Sequence, residues 1–404
     1  MKKNVIVGQS GGPTAVINCS LYGVVTGGYS DARVDKVYGM VNGIEGFLKG
    51  KFLDFRKMKE DGSLEKLTTT PGAFLGACRY KLPEDLDDPV YPEILKKLDD
   101  LNVGYFCYIG GNDSMDTVSK LSRYAAKTDS RIRFMGVPKT IDNDLVLTDH
   151  TPGYGSAARY VAETVREIVY DAAVYNTKAV TIVEIMGRDA GWLTAASVLA
   201  REEDRKNPGY IYLPEVDFDT VTFLEQVKRG LEVQNSLVVC VSEGLHDAAG
   251  RLICEYDSET GVDSFGHKML AGCGKYLERL VRERLGVKVR SVELNVCQRC
   301  SAAMMSETDR QEAVQAGAFA VRSATAGETG KMVACRRKTG TYGIDCVLED
   351  VNLICNQVKK VPLEWIINDG SDLAQAFIDY AYPLIQGSVA IPVGADGLPA
   401  FIKR

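Results

Sequence analysis

The stretch Pro138-Lys139-Thr140-Ile141-Asp142-Asn143-Asp144 sets two carboxylates two residues apart behind a lysine. About one strand and loop earlier, Gly110-Gly111-Asn112-Asp113-Ser114 puts a glycine turn bearing a carboxylate directly after an apolar run. Two acids, a lysine and bare backbone amides are the parts needed to hold a metal–phosphate and to take a proton from an alcohol. Thr140, Asp142 and Asp144 alternate, so an extended loop would point all three to one side. One carboxylate can then accept a hydroxyl proton while the other holds the metal. Lys139 adds a compact positive charge for charge developing on a transferred group. In the glycine turn the paired glycines bring backbone close to a ligand, and Asn112 and Asp113 offer oxygens to a magnesium ion or its waters. The plainer reading, that Asp113 or Ser114 merely caps the following helix, leaves the double glycine without a reason.

A third turn, Gly8-Gln9-Ser10-Gly11-Gly12-Pro13-Thr14, follows the first apolar run. It is neither GxGxxG nor a Walker sequence, and a tight strand-to-helix turn explains it as well as a phosphate cradle does. Met186-Gly187-Arg188, Glu243, Arg79, Arg290 and Arg299 complete the inventory. Guanidinium forks suit phosphate, and a carboxylate just after a strand suits sugar hydroxyls. Taken singly, each reads equally as a surface or packing residue.

The elements that must position these residues repeat one unit: a β-branched or aromatic run, a glycine-containing loop, then a helical pattern. Val5-Ile6-Val7 leads into the first turn and a helix over Ala15 to Val25. Tyr105 to Ile109 leads into the second and a helix over Met115 to Ala126. Arg133 to Val137, Ala179 to Ile185 (with a helix from about Trp192), Leu237 to Val241 and Val287 to Leu294 precede the remaining loops. Alternation of this kind predicts an α/β fold with mostly parallel sheets flanked by helices. Ligands then bind at the carboxyl edge of the strands, where the polar loops fall. Asp54 to Lys66, Arg201 to Pro208 and Asp257 to Gly266 read as surface or insertion. Arg336-Arg337-Lys338 and Lys359-Lys360 read as solvated faces. Near the end, an amphipathic stretch spans Ser371 to Tyr382 and a strand-like run Val389 to Val393.

Composition limits the alternatives. The 404 residues are 45% hydrophobic and 25% charged, ordinary for a soluble globular protein and long enough for two lobes. A net charge of -6 argues against nucleic acid or anionic membrane as the main partner. Met1-Lys2-Lys3 precedes only Asn4 to Val7 before Gly8-Gln9-Ser10, too short for a signal peptide. No run approaches the ~18 apolar residues of a membrane span. Eleven cysteines without dense spacing read as reduced thiols in a cytoplasmic protein. Only Cys297 and Cys300 stand in CxxC spacing, without the second pair or histidines that zinc would want.

With those loops assembled, the chain resembles the phosphofructokinases from Val7 to about Arg299. Gly11-Gly12 matches the family's first phosphate turn, and Arg79 its phosphate-binding arginine after a Leu-Gly pair. Gly110 to Ser114 matches the GGDGS turn, Lys139 to Asp144 the GTIDND loop with Thr140 and Ile141, and Met186 to Arg188 the MGR loop. Glu243 matches the sugar-binding glutamate, and Arg290 and Arg299 two arginines at the 6-phosphate site. The resemblance implies two similar lobes with the site between them. The phosphoryl-donor lobe would be 1–150 plus about 298–350, and the sugar-phosphate lobe about 151–297 plus 351–404. It also implies Asp142 as general base, Arg188 beside the transferring group, magnesium at Asn112, Asp113 and Asp144, and fructose 6-phosphate as acceptor. Arg290 would reach across a homodimer or homotetramer.

Two departures concern the donor. Where ATP-using members have glycine, this chain has Asp113 and Lys139, the pair typical of the pyrophosphate-dependent branch. A carboxylate in the space of an ATP α-phosphate rejects the nucleotide by repulsion and overlap; two unit charges ~4 Å apart cost about 4 kcal/mol at an effective dielectric of about 20. Pyrophosphate ends before that point and meets Lys139. Other departures touch the acceptor and the metal: Asn112 replaces the usual aspartate, Val296 a histidine, and Ala179, beside Lys178, an arginine lent by a neighbouring subunit. Tyr276 and Arg279 are candidate compensating contacts, and sedoheptulose 7-phosphate is a second candidate acceptor. An ATP-dependent enzyme and a non-catalytic sugar-phosphate sensor of the same fold are the alternatives. A nicotinamide oxidoreductase is more distant, because the first loop lacks GxGxxG.

Overall fold

The computed structural model describes residues 2–174, 176–256 and 272–404, so the polar segment Asp257 to Gly266 lies outside the described residues. The strands of its two large sheets are β1 Lys3–Gln9, β2 Val34–Met40, β3 Phe52–Asp54, β4 Val103–Gly110, β5 Arg133–Pro138, β6 Ala179–Ile185, β7 Tyr210–Tyr212, β8 Ser236–Ser242, β9 Lys288–Glu293, β10 Lys331–Arg337 and β11 Ile344–Asp350. One sheet has seven strands in the order β11-β10-β5-β4-β1-β2-β3, the other four in the order β7-β8-β6-β9. Only β2 with β3 and β10 with β11 pair antiparallel in them. The fold is α/β, with mostly parallel sheets.

The apolar runs are unbroken because both faces of each sheet are covered. In the larger sheet Val5, Val7, Cys107, Ile109, Met135 and Val137 point toward the helices Ile17–Ser30 and Glu307–Thr325. Ile6, Phe106, Tyr108 and Phe134 point the other way, toward Met115, Val118 and Leu121 of the helix Asn112–Lys127. Full burial of each branched or aromatic side chain contributes about 1.5–3 kcal/mol. The two helices on the first face meet backbone to backbone. A Cβ on Gly23 would overlap the Val314 carbonyl, and one on Gly317 the Ser20 carbonyl. In the smaller sheet, Val183, Ile185, Val238 and Cys240 pack on the helix Tyr154–Ala172 and on Trp192. Val180, Ile182, Val239 and Val241 pack on the helices Thr220–Val233 and Cys273–Leu285.

Register decides what the carboxyl edges present. Gln9 lies opposite Ile109, and Gly110 opposite Pro138, so the three turns after β1, β4 and β5 emerge side by side. In the smaller sheet Ile185 lies opposite Ser242 and Glu184 opposite Glu293, which brings Met186, Glu243 and Leu294 together.

Several local expectations are corrected. The first helix begins at Ile17 rather than Ala15, and the second at Asn112 rather than Met115. The helix at Trp192 ends at Ala195 and continues as a 3-10 turn, Ala196–Ala200. Val389 to Val393 is not a strand; it is flanked by isolated bridges, Ser306 with Ser388 and Val393 with Pro399. Pro392 has no N–H to give a ladder. The amphipathic stretch near Ser371 to Tyr382 forms the helix Gln375–Ala381, with Phe377 and Ala381 buried. No helix among the described residues is long and apolar enough to cross a membrane.

Candidate active site

The turns after β1, β4 and β5 and the loop after β6 enclose a cleft of about 520 Å³ between the two sheets. Among the residues that line it are Gly11, Gly12, Arg79, Gly111, Asn112, Asp113, Lys139, Thr140, Asp142, Asp144 and Arg188, together with Lys81 and residues 356–358. Other surface grooves are larger, about 620 and 890 Å³, but their walls carry no buried acid–lysine cluster. Gly11 takes φ +75°, and a Cβ there would stand 3.3 Å from Lys139 Nζ; one on Gly12 would stand 2.8 Å from the Arg299 guanidinium. The glycines are needed because cationic side chains lie against the turn.

Lys139 is 4% exposed and donates to the Gly12 carbonyl at 2.7 Å. Burial pushes its pKa down to about 8, although the nearby Asp142 carboxylate works the other way. Burial pushes Asp142 up, opposed by the Thr140 hydroxyl, 3.2 Å from Oδ2, and by Lys139. Asp144 is pushed up to about 7 by burial and by the Asp142 charge; Asn112 Nδ2 donates to it at 3.4 Å. A lysine held low and two carboxylates held high by burial, gathered in one cleft, mark it as a functional-site candidate.

The loop carrying these acids is not extended. Asn143 sits at φ +56°, yet Asp142 and Asp144 still line the same cleft. Nor does a side chain cap the helix after β4. Gly111 is its N-cap in extended geometry, leaving the first amides free of side-chain partners at the cleft. Asp113, expected at the donor end, lines the cleft with its side chain 58% exposed and pairs with Lys81 Nζ at 3.5 Å.

A phosphofructokinase family model matches residues 4–324. The chain belongs to the phosphofructokinase family. It is 38% identical to the pyrophosphate–fructose 6-phosphate 1-phosphotransferase of Xanthomonas campestris, over 99% of this chain and 96% of that one. It is 39% identical to the enzyme of the same name from Rhodospirillum rubrum, over 95% and 94%. The crystal structure of a pyrophosphate-dependent phosphofructokinase from Nitrosospira multiformis superposes with a TM-score of 0.90 at 32% identity, covering 100% of this chain and 96% of that one.

In this phosphofructokinase the remaining sequence candidates divide. Gly187 N donates to Glu243 Oε1 at 3.2 Å, and burial pushes Glu243 up to about 7. Met186 N donates to Gln298 Oε1 at 3.3 Å, and Ile141 is buried in the core. Tyr276, Arg279 and Arg290 are not among the cleft-lining residues, and neither are Ile141, Met186, Gly187, Glu243 and Arg299. Arg290, on the edge strand β9, stands 3.5 Å from Asp171; Tyr276 and Arg279 sit on the helix Cys273–Leu285, where the Arg279 guanidinium lies 5.8 Å from the Tyr276 ring. Val296 is exposed, and so is Lys178 ahead of β6.

Among the described residues no group of three or more His, Cys, Asp or Glu side chains is placed to hold a metal ion. The residues present still fit magnesium, which takes one or two carboxylates and fills its other positions with water and phosphate oxygens. Asn112 Oδ1 is buried without a hydrogen-bond partner among the described residues, beside Asp144. It is the kind of oxygen such an ion would satisfy.

Sequence reasoning missed Lys81 and misread two basic residues. Arg337 is not on a solvated face: it pairs with Asp149 at 2.9 Å and donates to the Tyr380 carbonyl. Lys359 is not solvated either; burial pushes its pKa down to about 8. Adjacent residues of an extended segment point opposite ways, so one lysine of the Lys359-Lys360 pair could have been expected to turn inward.

Proposed function

We propose that this phosphofructokinase moves a phosphoryl group from pyrophosphate to the 1-hydroxyl of fructose 6-phosphate, in a reversible step of glycolysis and gluconeogenesis. The observation that carries the reading is the buried Lys139, set between the Gly11-Gly12 turn and Asp142 with a lowered pKa that a bound polyanion would restore. Asp142 takes the hydroxyl proton as the sugar oxygen bonds to phosphorus, and the bridging oxygen leaves with orthophosphate. Lys139 and Arg188, whose buried Nε has no hydrogen-bond partner among the described residues, balance charge on the transferring group. The Gly11, Gly12 and Gly111 amides with Arg79 orient the donor, and Thr140 steadies Asp142. Magnesium at Asp144 and Asn112 would supply further charge neutralisation at the phosphates. Glu243, beside the Met186-Gly187 amides, receives sugar hydroxyls, and Arg299 faces the sugar phosphate.

The donor lobe is then 1–150 plus about 298–350, and the acceptor lobe about 151–297 plus 351–404. Arg290, Tyr276 and Arg279 would serve a homo-oligomer rather than the cleft of their own chain. None of the eleven cysteines is joined in a disulfide, which suits the cytoplasm. Incubation with magnesium, pyrophosphate and fructose 6-phosphate should yield fructose 1,6-bisphosphate, and the bisphosphate with orthophosphate should yield pyrophosphate. Sedoheptulose 7-phosphate in a parallel tube measures acceptor breadth. Formation of bisphosphate with ATP alone would replace this reading with the ATP-dependent one. Tight fructose 6-phosphate binding without turnover would replace it with the sensor.

A further inference from the structure

Residues 357–361 lie beyond the 4–324 stretch that matches the family, yet they bind three of the loops around the cleft. The Gln357 carbonyl accepts from Asn112 Nδ2 at 3.0 Å, after β4. The Lys359 amide donates to the Asp144 carbonyl at 2.7 Å, after β5. The Lys359 carbonyl accepts from Trp192 Nε1 at 2.8 Å, four residues past Arg188 in the loop after β6. Val361 N donates to Glu215 Oε1 at 3.0 Å, and the same oxygen accepts from Gly191 N at 2.8 Å. This strap therefore ties loops from the larger sheet to a loop from the smaller one.

The side chain of Lys359 adds a second set of ties. Its ammonium donates to the Asp149 carbonyl at 2.8 Å, the Thr148 carbonyl at 3.2 Å and Asn143 Oδ1 at 3.4 Å, and it sits 5.0 Å from the centre of the Trp192 ring. Asn143 is the residue between the two cleft carboxylates. It holds a left-handed backbone at φ +56°, a conformation that asparagine adopts more readily than most non-glycine residues. Its amide is used at both ends: Oδ1 also accepts from Thr151 N at 3.1 Å, and Nδ2 donates to Tyr380 Oη at 2.8 Å. An apolar side chain would fill the space around Lys359 without the desolvation of a buried ammonium. What the ammonium adds is direction.

We infer that Lys359 is a positioning residue for phosphoryl transfer, fixing the turn at Asn143 and so the placement of Asp142 against Arg188 across the cleft. The inference rests on the reaction proposed above. A displacement near 1 Å at reacting groups lowers rates by about 10²-fold, so the effect belongs in kcat and not in ground-state binding. Lys359→Met should lower kcat about 10²-fold while KM for pyrophosphate and for fructose 6-phosphate stays within about threefold. Combined with Asn143→Ala, the loss should be no larger than the greater single loss, because both substitutions release the same turn. Additive losses, an unchanged kcat, or a raised KM at constant kcat would each overturn the assignment. Should Lys359→Met fail to fold by circular dichroism, Trp192→Phe decides, since it deletes one donor to the Lys359 carbonyl. A fall in kcat at constant KM supports the strap, and no fall in kcat overturns it. The native protein is assayed alongside. No native turnover sinks the reaction itself, whereas native turnover with indifferent variants sinks only the positioning role.

Discussion

Asp142 and Lys139 sit side by side in protonation states that burial has shifted in opposite directions, and each shift gives a measurable signature. Asp142→Asn removes the proposed proton acceptor but keeps the shape and the Thr140 contact, so kcat should drop by roughly 10²–10⁴-fold with little change in either KM. Thermal stability should not fall, because a carboxylate disfavoured by burial has been neutralised. Lys139 should impose an alkaline limb. With a free-enzyme value of about 8, its charge is lost as pH rises through that point, and kcat/KM for pyrophosphate should fall there. In Lys139→Arg the limb should vanish from the accessible range, since guanidinium does not deprotonate; an unchanged limb assigns it to another group. Residue types and spacing brought Lys139, Thr140, Asp142 and Asp144 to one cleft for a reason that proved wrong. The loop is turned at Asn143, and nothing in the alternation of acids reveals a backbone held by Lys359 and Tyr380 from distant parts of the chain.

At the level of elements, the runs ending at Ile109 and Val137 were legible because parallel strands covered on both faces have no polar interruptions. The start of the helix at Asn112 was not, because its N-cap is Gly111 and no capping side chain announces it. Behind the β5 turn lies a network that sequence does not reveal at all. His150 Nδ1 is 2.7 Å from Asp149 Oδ1 and its Nε2 2.6 Å from Glu312 Oε2, and Tyr342 Oη donates to the other Glu312 oxygen at 2.7 Å. Burial alone would lower the His150 value, but Glu312 and Asp149 raise it to about 9. A folded-state value above the ordinary 6.5 contributes stability that is complete below about 6.5 and lost as pH rises through about 9. Lys139 and Lys359, lowered to about 8, act in the opposite sense over the alkaline range, so the difference between proteins is the clean quantity. The stability gap between native protein and His150→Gln in urea should be widest near pH 6 and shrink toward pH 10. A gap that is constant with pH would show that the imidazole is neutral.

For the whole molecule, the order of strand–loop–helix units conveyed two sheets with chemistry at their carboxyl edges. It did not convey that the segment after β11 returns to strap those edges together, because the Gln357 carbonyl and the Lys359 amide and carbonyl that make those ties are backbone groups that any residue carries. Donor choice belongs to this scale, since it depends on how far a bound polyphosphate extends along the cleft past the β4 turn. The exposure of Asp113 and its pairing with Lys81 weaken the repulsion estimated from charge alone. About 4 kcal/mol at ~4 Å is therefore an upper value, with about 1 kcal/mol in bulk water as the lower one. The decisive quantity is the ratio of kcat/KM for pyrophosphate to that for ATP, in the native protein and in Asp113→Gly. The native ratio should lie far on the side of pyrophosphate, and the variant should move it toward ATP by at least about fivefold. A native protein that prefers ATP, or a ratio unmoved by the substitution, would contradict the assignment of donor selection to this carboxylate.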